Sequence, residues 1–219
     1  MEPLTATIIG STGLIGSHLL DQLVKDDHYS KVRLIVRRPP EVSNPNIEVR
    51  VIDFTDDQAF RSAVAGSSAV FCAIGTTRKK VKGDMTEYRK VDFDIPVKAA
   101  RFCKETGCRK FLLVSSVGAD SKSSNFYLKL KGEVEDQVST LEIPHIAIFR
   151  PSMLLGKRTE KRPAEALAQT FSSLLTFLFP AKYKPIKAAT VAEAMIAASK
   201  TDYAGSGIFH FTEMIKLTN

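Results

Sequence analysis

The sequence predicts an α/β fold built on a doubly wound parallel sheet. Short β-branched runs alternate with longer segments of helical character. Near-continuous apolar strands joined by helices are typical of a parallel sheet that is buried on both faces. The usual right-handed crossover then gives a βαβαβ series. We expect strands at residues 5–9, 32–36, 47–52, 69–74, 110–115 and 145–150.

Helical periodicity fills the connections between these runs. Apolar residues recur every three or four positions directly after Gly13 and again over residues 92–103. A further helix is expected over residues 56–65. A last helix at 190–199 and a last strand at 207–212 close the chain.

Residues 151–185 interrupt the alternation. A charged turn at 156–163 precedes an amphipathic run at 166–179. We expect a small helical excursion over the carboxyl ends of the strands, where an open α/β sheet places its ligand crevice. Without an internal repeat or a linker, residues 1–219 are predicted to form a single domain with 151–185 on its substrate side.

The composition is that of an ordinary globular protein, with 44% hydrophobic and 25% charged residues. Three cysteines, an odd number, lie in apolar or helical stretches. A disulfide framework is therefore not expected, and a reducing, cytoplasmic location fits best. No stretch approaches the roughly 18 to 20 apolar residues that span a bilayer, and the N-terminus lacks a basic leader, so we expect neither a signal peptide nor a membrane partner.

The net charge of +7 is spread among acidic residues rather than gathered in one patch. This favours a phosphate-bearing ligand over nucleic acid as a partner. The aromatic residues of the run 166–179 would form core or a lid, or, if exposed, the contact of a homodimer or of a protein partner. The histidines and cysteines show no metal-ligand spacing, so no metal is expected.

A glycine-rich turn follows the first predicted strand. Gly10, Gly13 and Gly16 stand between an apolar strand and an amphipathic helix, which is the context that this motif requires. The first glycine permits a tight turn, the second lets backbone amides approach a pyrophosphate, and the third lets helix and strand pack closely. The pattern predicts a dinucleotide site.

The end of the second strand indicates which dinucleotide is bound. An NAD site would carry an acidic residue about twenty positions after the last glycine, but this chain has Arg37 and Arg38. Guanidinium groups can hold a 2′-phosphate, which favours NADP(H), with NAD(H) as the alternative. Asp53, after the third strand, could accept a hydrogen bond from the adenine or simply cap the following helix.

The stretch YLKLK, residues 127–131, can be read as a strand or as a helix. The apolar stripe Phe126, Leu130, Val134, Val138 and Leu141 extends well beyond the five-residue alternation, so the helix is favoured. Residues 123–125 offer good N-cap side chains. Tyr127 and Lys131 then share one face of the helix.

Tyr127 and Lys131 form a candidate acid–base unit. A tyrosine phenol has a reference pKa near 10, and a neighbouring ammonium stabilises the phenolate and lowers that pKa. Ser115 or Ser116, at the end of the fifth strand, could polarise a substrate carbonyl. These roles suit reversible carbonyl reduction by NADPH. The alternative is an exposed Lys131–Glu135 ion pair with Tyr127 as an ordinary half-buried residue.

These motifs resemble those of a known family. The segments GSTGLIG at 10–16, VSS at 114–116 and YLKLK at 127–131 are similar to the atypical short-chain dehydrogenase/reductases. More closely, CAIGTTRKK at 72–80 and KSSNFYLKLKGEVE at 122–135 resemble the HIV Tat-interacting protein branch and its bacterial relatives.

The resemblance implies a Rossmann fold that binds NADP(H). It places catalysis on Tyr127 and Lys131, with Ser115 preferred over Ser116 because classical members use about that spacing. It assigns cofactor contacts to Gly10, Ser11, Thr12, Gly13, Leu14, Ile15, Gly16, Arg37, Arg38, Gly75, Thr76, Thr77, Pro151 and Ser152.

Membership of this branch leaves the function open between three classes. The chain is expected to be an NADP(H)-dependent oxidoreductase acting on a small carbonyl or alcohol. The alternatives are a non-catalytic regulator that senses NADP(H) through a protein partner, and an epimerase or isomerase with bound cofactor. The absence of a G-x-S-x-G elbow argues against a hydrolase.

Overall fold

The sheet consists of parallel strands in the order β3-β2-β1-β4-β5-β6-β9. A computed structural model describes residues 3–156, 180–201 and 204–219. A short parallel pair, β7 with β8, lies apart from the main sheet. The strands are β1 (Thr5–Ile9), β2 (Lys31–Val36), β3 (Ile47–Val51), β4 (Ala69–Cys72), β5 (Lys110–Val114), β6 (His145–Phe149), β7 (Leu154–Leu155), β8 (Ile186–Lys187) and β9 (Gly205–Phe209).

Helices connect most of these strands. A π-helical turn, Lys90–Asp94, lies between α3 and α4, and a 3₁₀ turn, Ala181–Tyr183, precedes β8. The described helices are α1 (Leu14–Leu23), α2 (Asp57–Val64), α3 (Met85–Arg89), α4 (Ile95–Glu105), α5 (Phe126–Ser139), α6 (Ala188–Lys200) and α7 (Phe211–Leu217).

The hydrophobic core is divided by the sheet into two layers. Successive strand residues point to opposite faces, so Ile8 packs with α1, α6 and α7 while Ile9 packs with α2, α4 and α5. Both residues are fully buried. The doubly wound parallel sheet predicted from the sequence is confirmed, and its strand order reverses between the neighbours β1 and β4.

Side chains cap the N-termini of two helices that begin near the carboxyl edge of the sheet. The Asn125 side-chain oxygen accepts hydrogen bonds from the amides of Tyr127 and Leu128, at 3.0 and 3.2 Å, and fixes the start of α5. The helical interpretation of YLKLK is therefore correct. Asp56 caps α2 in the same way, accepting from the amides of Gln58 and Ala59.

Two predicted elements differ from the structure. The last strand ends at Phe209, and α7 begins at Phe211, because the Glu213 carboxylate accepts the His210 amide at 3.0 Å and the fully buried Met214 anchors the helix. The helix predicted over 92–103 starts as a π-helical turn and continues as α4.

Most of the predicted excursion at 151–185 lies outside the described residues, including the amphipathic run 166–179. Its described parts are β7 and the 3₁₀ turn. Within the ranges that the structure describes, no helix has the length and apolar character needed to cross a membrane.

Candidate functional site

A cavity of about 570 Å³ opens at the carboxyl ends of β1, β2 and β4. It lies where the chain turns from one half of the sheet to the other, the position at which open α/β sheets bind ligands. Its described walls include the glycine turn 10–13, the end of β2 at Arg37 and Arg38, and the loop after β4 at Gly75 and Thr76.

The glycine turn has the geometry that its three glycines predict. Gly10 has a φ of +92°, and a Cβ there would lie 2.7 Å from the Ile74 amide nitrogen. A Cβ on Gly16 would lie 2.0 Å from the Gly10 carbonyl oxygen, so only glycine lets α1 pack this closely. At Gly13, a Cβ would lie 3.2 Å from the same oxygen. The turn is held tightly against β1 and the loop after β4.

The Ser11 hydroxyl is a buried polar group on the cavity wall. The residue is 4% exposed, and its hydroxyl makes no hydrogen bond with the residues that the structure describes. A buried hydroxyl of this kind calls for a partner from a ligand or ordered solvent. Together with the space that the glycines leave open, it fits the pyrophosphate of a dinucleotide.

The charge on the cavity wall has one sign. Arg37, Arg38 and Lys80 line the cavity, and its described lining contains neither aspartate nor glutamate. Asp53, a candidate for the adenine, is exposed and accepts the Thr55 amide at 2.9 Å. Hydrogen bonds from Thr55 lower the pKa of the Asp53 carboxyl. Its neighbour Phe54 lines the cavity instead.

Tyr127 and Lys131 lie one turn apart on α5 in contrasting environments. Tyr127 is 38% exposed, whereas Lys131 is 5% exposed. The Lys131 ammonium lies 3.1 Å from the Asp92 carboxylate, which is itself 1% exposed. The alternative of an exposed Lys131–Glu135 pair does not hold, because both side chains are buried.

Asp92 connects the lysine to the cavity. Its second carboxylate oxygen accepts the backbone amide of Thr76 at 2.7 Å, and Thr76 lines the cavity. Burial alone would lower the pKa of Lys131, but the charges of Asp92 and Tyr127 raise it to about 12. The ammonium is therefore a permanent cation between the cofactor loop and α5.

Asp92 was not predicted from the sequence as a residue of the candidate site. An acidic side chain in the first turn of a predicted helix is ordinarily explained by the helix dipole. The structure places it in a π-helical turn, a feature that occurs frequently at functional sites. The sequence shows only an aspartate at the start of an apolar helix. Its partners, Lys131 and Thr76, lie in other elements and are not indicated by any spacing.

The two candidate serines have different surroundings. The buried Ser115 hydroxyl donates to the Glu135 carboxylate, which also accepts two hydrogen bonds from the Arg150 Nε, at 3.0 and 3.1 Å. Ser116 is partly exposed, and its hydroxyl donates to the Val117 carbonyl at 3.3 Å. Glu135, which is itself bonded by Arg150, thus engages the serine that the spacing favoured.

The remaining candidate residues fall into two groups. Thr12 and Gly75 line the cavity with the glycine turn. The others do not appear in its described lining and make structural contacts: Ile15 is part of the core, Leu14 packs beside it, the Thr77 hydroxyl accepts the Lys80 amide, the Pro151 carbonyl accepts the Val117 amide, and the Ser152 hydroxyl donates to the Lys184 carbonyl.

The cysteines and the possible metal ligands are further candidate site residues. Cys72, Cys103 and Cys108 are free and buried. Burial raises the pKa of the Cys72 thiol to about 12, so it is not a nucleophile at neutral pH. Across the part of the chain that the structure covers, no cluster of His, Cys, Asp or Glu is arranged to hold a metal ion.

Comparison with known proteins agrees with this geometry. A family model described as NAD(P)H-binding matches residues 10–202. The rat protein HTATIP2 is 37% identical over 199 residues, covering 90% of this chain and 81% of the relative. Protein FMP52, mitochondrial, of Candida albicans is 32% identical over 208 residues, covering 92% and 88%.

Solved structures share the fold at low sequence identity. A UDP-N-acetylglucosamine 4-epimerase from Methanobrevibacter ruminantium superposes with a TM-score of 0.71 at 18% identity, covering 96% of this chain and 77% of that one. Uronate dehydrogenase from Agrobacterium tumefaciens gives 0.71 at 13% identity, covering 95% and 76%. At these identities the likeness concerns the fold alone.

The relatives also bear on location and identity. The cytoplasmic location expected from cysteine usage is contradicted, because fungal relatives from Emericella nidulans and Candida albicans are named as mitochondrial proteins. The predicted family is confirmed by the model match and by the identity to HTATIP2. The chain belongs to the NAD(P)H-binding Rossmann family, as an HTATIP2 homologue among the atypical short-chain dehydrogenase/reductases.

Proposed function

We propose that this protein is an NADP(H)-dependent oxidoreductase that interconverts a small carbonyl compound and its alcohol. The observation that carries the proposal is the link from a cationic cavity to the acid–base pair. Asp92 contacts both Thr76 on the cavity wall and the buried ammonium of Lys131. A single carboxylate thus orders the cofactor loop and the catalytic helix together.

The cofactor would be held by three kinds of group. The amides of the glycine turn and the free Ser11 hydroxyl would bind the pyrophosphate. Arg37 and Arg38 would pair with the 2′-phosphate through charge-assisted hydrogen bonds. Bound NADP(H) would supply or accept the hydride.

Proton transfer would fall to Tyr127. The residue is 38% exposed, so a substrate could approach it from solvent. Lys131 lies one helical turn away and stays positively charged, so it would stabilise the phenolate form of Tyr127 as the proton leaves. Lys131 could also hold the nicotinamide ribose by hydrogen bonds.

We assign the carbonyl-binding role to Ser116 rather than Ser115. The Ser115 hydroxyl would have to give up its hydrogen bond to Glu135 before it could donate to a substrate. Ser116 is partly exposed at the same strand end, and its present acceptor lies at 3.3 Å, a long hydrogen bond that a substrate oxygen could replace.

Titration with NADPH and NADH tests the cofactor preference. We expect NADPH to bind more tightly, and we expect Arg37→Gln and Arg38→Gln each to weaken NADPH binding by about tenfold. NADH binding should change little, because NADH lacks the 2′-phosphate. Equal affinity of the parent protein for both cofactors would refute the preference.

Tyr127→Phe tests catalysis. With a panel of aldehydes and ketones, the variant should lose nearly all turnover while keeping the parent's NADPH affinity, since the phenol hydroxyl alone is removed. Lys129→Gln, an exposed neighbour on the same helix, is the matched control and should keep full activity. Undiminished turnover in Tyr127→Phe would remove Tyr127 from the mechanism.

One observation favours a second candidate, a non-catalytic protein that senses NADP(H). Ser115, Lys131 and Ser152 all have side chains engaged by other groups of the protein. A site of this kind could hold cofactor without turnover. NADPH binding with no activity on the panel, and a partner interaction that is unchanged by Tyr127→Phe, would favour the regulator.

A further inference from the structure

We propose that Lys80 is a third cation of the 2′-phosphate site and discriminates NADPH from NADH. This inference rests on the proposed NADP(H) function and adds a residue to it. Arg37 and Arg38 follow β2, whereas Lys80 belongs to the loop after β4. All three line the same cavity, so the phosphate would be held from two walls.

The loop that carries Lys80 is a preformed turn. Residues 77–84 are closed by backbone hydrogen bonds, from the Val81 amide to the Thr77 carbonyl at 3.2 Å and from the Gly83 amide to the Arg78 carbonyl at 2.8 Å. The Lys80 amide itself donates to the Thr77 hydroxyl at 3.2 Å. The backbone of Lys80 therefore has a defined place at the cavity edge.

The charges favour the 2′-phosphate over the pyrophosphate as the group that Lys80 meets. The pyrophosphate already has the glycine turn and the unpartnered Ser11 hydroxyl. Arg38 and its successors Pro39 and Pro40 form the β2 side of the cavity, and Lys80 is the cation that the β4 loop adds. A 2′-phosphate carries close to two negative charges near neutral pH, which the three cations of the described cavity lining suit.

The neighbours of Lys80 provide an internal control. Arg78, Lys79 and Lys82 belong to the same turn and are exposed, but they do not appear in the described cavity lining. If the turn acted only through its overall positive charge, neutralising Lys79 would matter as much as neutralising Lys80. The proposal requires that it does not.

The test compares Lys80→Gln, Lys79→Gln and the parent protein. Binding of NADPH and NADH is measured by calorimetry, together with two fragments, adenosine 2′,5′-bisphosphate and 5′-AMP, which differ only in the 2′-phosphate. We expect Lys80→Gln to lose about tenfold in affinity for NADPH and the bisphosphate, the size of one charge-assisted hydrogen bond. NADH and 5′-AMP should bind as before, and Lys79→Gln should match the parent.

Three results would overturn the proposal. If Lys80→Gln weakened NADPH and NADH binding equally, Lys80 would contact a part that the two cofactors share. If NADPH affinity did not change, Lys80 would not belong to the site. If Lys79→Gln and Lys80→Gln had equal effects, the overall positive charge of the turn would explain them. Failure of the underlying function is seen separately. In that case the parent itself binds NADPH and NADH equally, whatever the lysine variants do.

Discussion

The two halves of the carboxyl edge differ in whether their polar side chains have partners within the protein. In the half formed by β1, β2 and β4, Arg37 and Arg38 line an open cavity, and the Ser11 hydroxyl has no partner within the described part of the chain. In the half formed by β5, α5 and β6, Ser115 is bound to Glu135 and Lys131 to Asp92.

This difference in hydrogen bonding indicates which half of the carboxyl edge is the better candidate for binding a ligand. Unpartnered polar atoms are costly unless something binds them, so the first half is prepared for an external molecule. The second half supplies partners from the protein itself for Ser115 and Lys131. The half formed by β1, β2 and β4 should therefore respond to substitution mainly in cofactor affinity, and the half formed by β5, α5 and β6 mainly in stability.

Asp92→Ala should give the largest effect on stability. It leaves the buried Lys131 without its counter-charge, which costs about 3–5 kcal/mol in the free energy of unfolding. Urea denaturation provides the measurement. The control is Lys90→Ala, which removes an exposed pair with Glu87 and should cost less than about 1 kcal/mol. Similar costs for both variants would contradict a buried, structural ion pair.

Two glycine substitutions would separate the halves. A Cβ on Gly16 would lie 2.0 Å from the Gly10 carbonyl oxygen, and a Cβ on Gly132 would lie 2.1 Å from the Ser121 amide nitrogen. Each alanine variant should lose about 2 kcal/mol, because overpacking costs about 3 and the better helix propensity of alanine returns about 1.

Cofactor titration then distinguishes the two variants. Gly16→Ala should lose most of its NADPH affinity, whereas Gly132→Ala should keep it, because residue 132 faces the loop before α5 and not the cavity. Asp136→Ala is the control, because it changes an exposed residue of α5 and shows whether any substitution in this helix affects NADPH binding. Loss of NADPH binding in both variants would mean that the halves do not act separately.

Two serine variants, one in each half of the carboxyl edge, compare the effects of removing a single hydroxyl group. Ser115→Ala should cost about 1–2 kcal/mol in unfolding free energy, because Glu135 loses a donor. Ser11→Ala removes a hydroxyl without a partner and should leave thermal stability unchanged while NADPH affinity falls severalfold. The reverse assignment of these effects would invalidate the contrast between the halves.

The Asp92→Asn variant should reverse the pH response of Lys131. In the parent, the pKa of Lys131 is raised to about 12, so its stabilising contribution is complete below the ordinary value near 10.4 and is lost as the pH rises through about 12. In Asp92→Asn, burial remains without the counter-charge and should lower that pKa. The variant should then gain stability as the pH rises.

Denaturation of parent and variant at pH 7 and pH 9.5 measures this effect. The difference between the two proteins should narrow by about 1 kcal/mol, one pKa unit being worth 1.36 kcal/mol. The buried Cys72 thiol also responds to alkaline pH, but burial is the largest cause of its raised pKa and is common to both proteins, so most of its contribution cancels. A difference that widens with pH would show that Lys131 is not held by Asp92.

The parts of the site predicted from the sequence are those encoded by neighbours along the chain. Gly10 and Gly16 sit within one turn and its helix, and the spacing of Tyr127 and Lys131 is a property of α5 itself. Local periodicity and turn chemistry are sufficient to predict such features, as they were for the order of strands and helices.

The features that escaped prediction depend on contacts between distant elements. The partner of Lys131 comes from a π-helical turn, and the Ser115 hydroxyl is engaged by Glu135 with Arg150 beside it. No spacing rule connects these residues. The end of β9 was mispredicted for a local reason: Phe211 suits a strand, but the Glu213 carboxylate accepts the His210 amide and closes the first turn of α7.

The pairing of β6 with β9 has a consequence for how the chain assembles. The strands are in parallel register from His145 with Gly205 to Phe149 with Phe209, so their contact closes a loop of more than fifty residues. Closing so long a loop is slow and entropically costly. Because the Arg150 amide donates to the Phe209 carbonyl at 2.9 Å, the arginine that faces Glu135 gains its final backbone support only then. During refolding, we expect the cavity at β1, β2 and β4 to form before β9 pairs with β6 and supports Arg150.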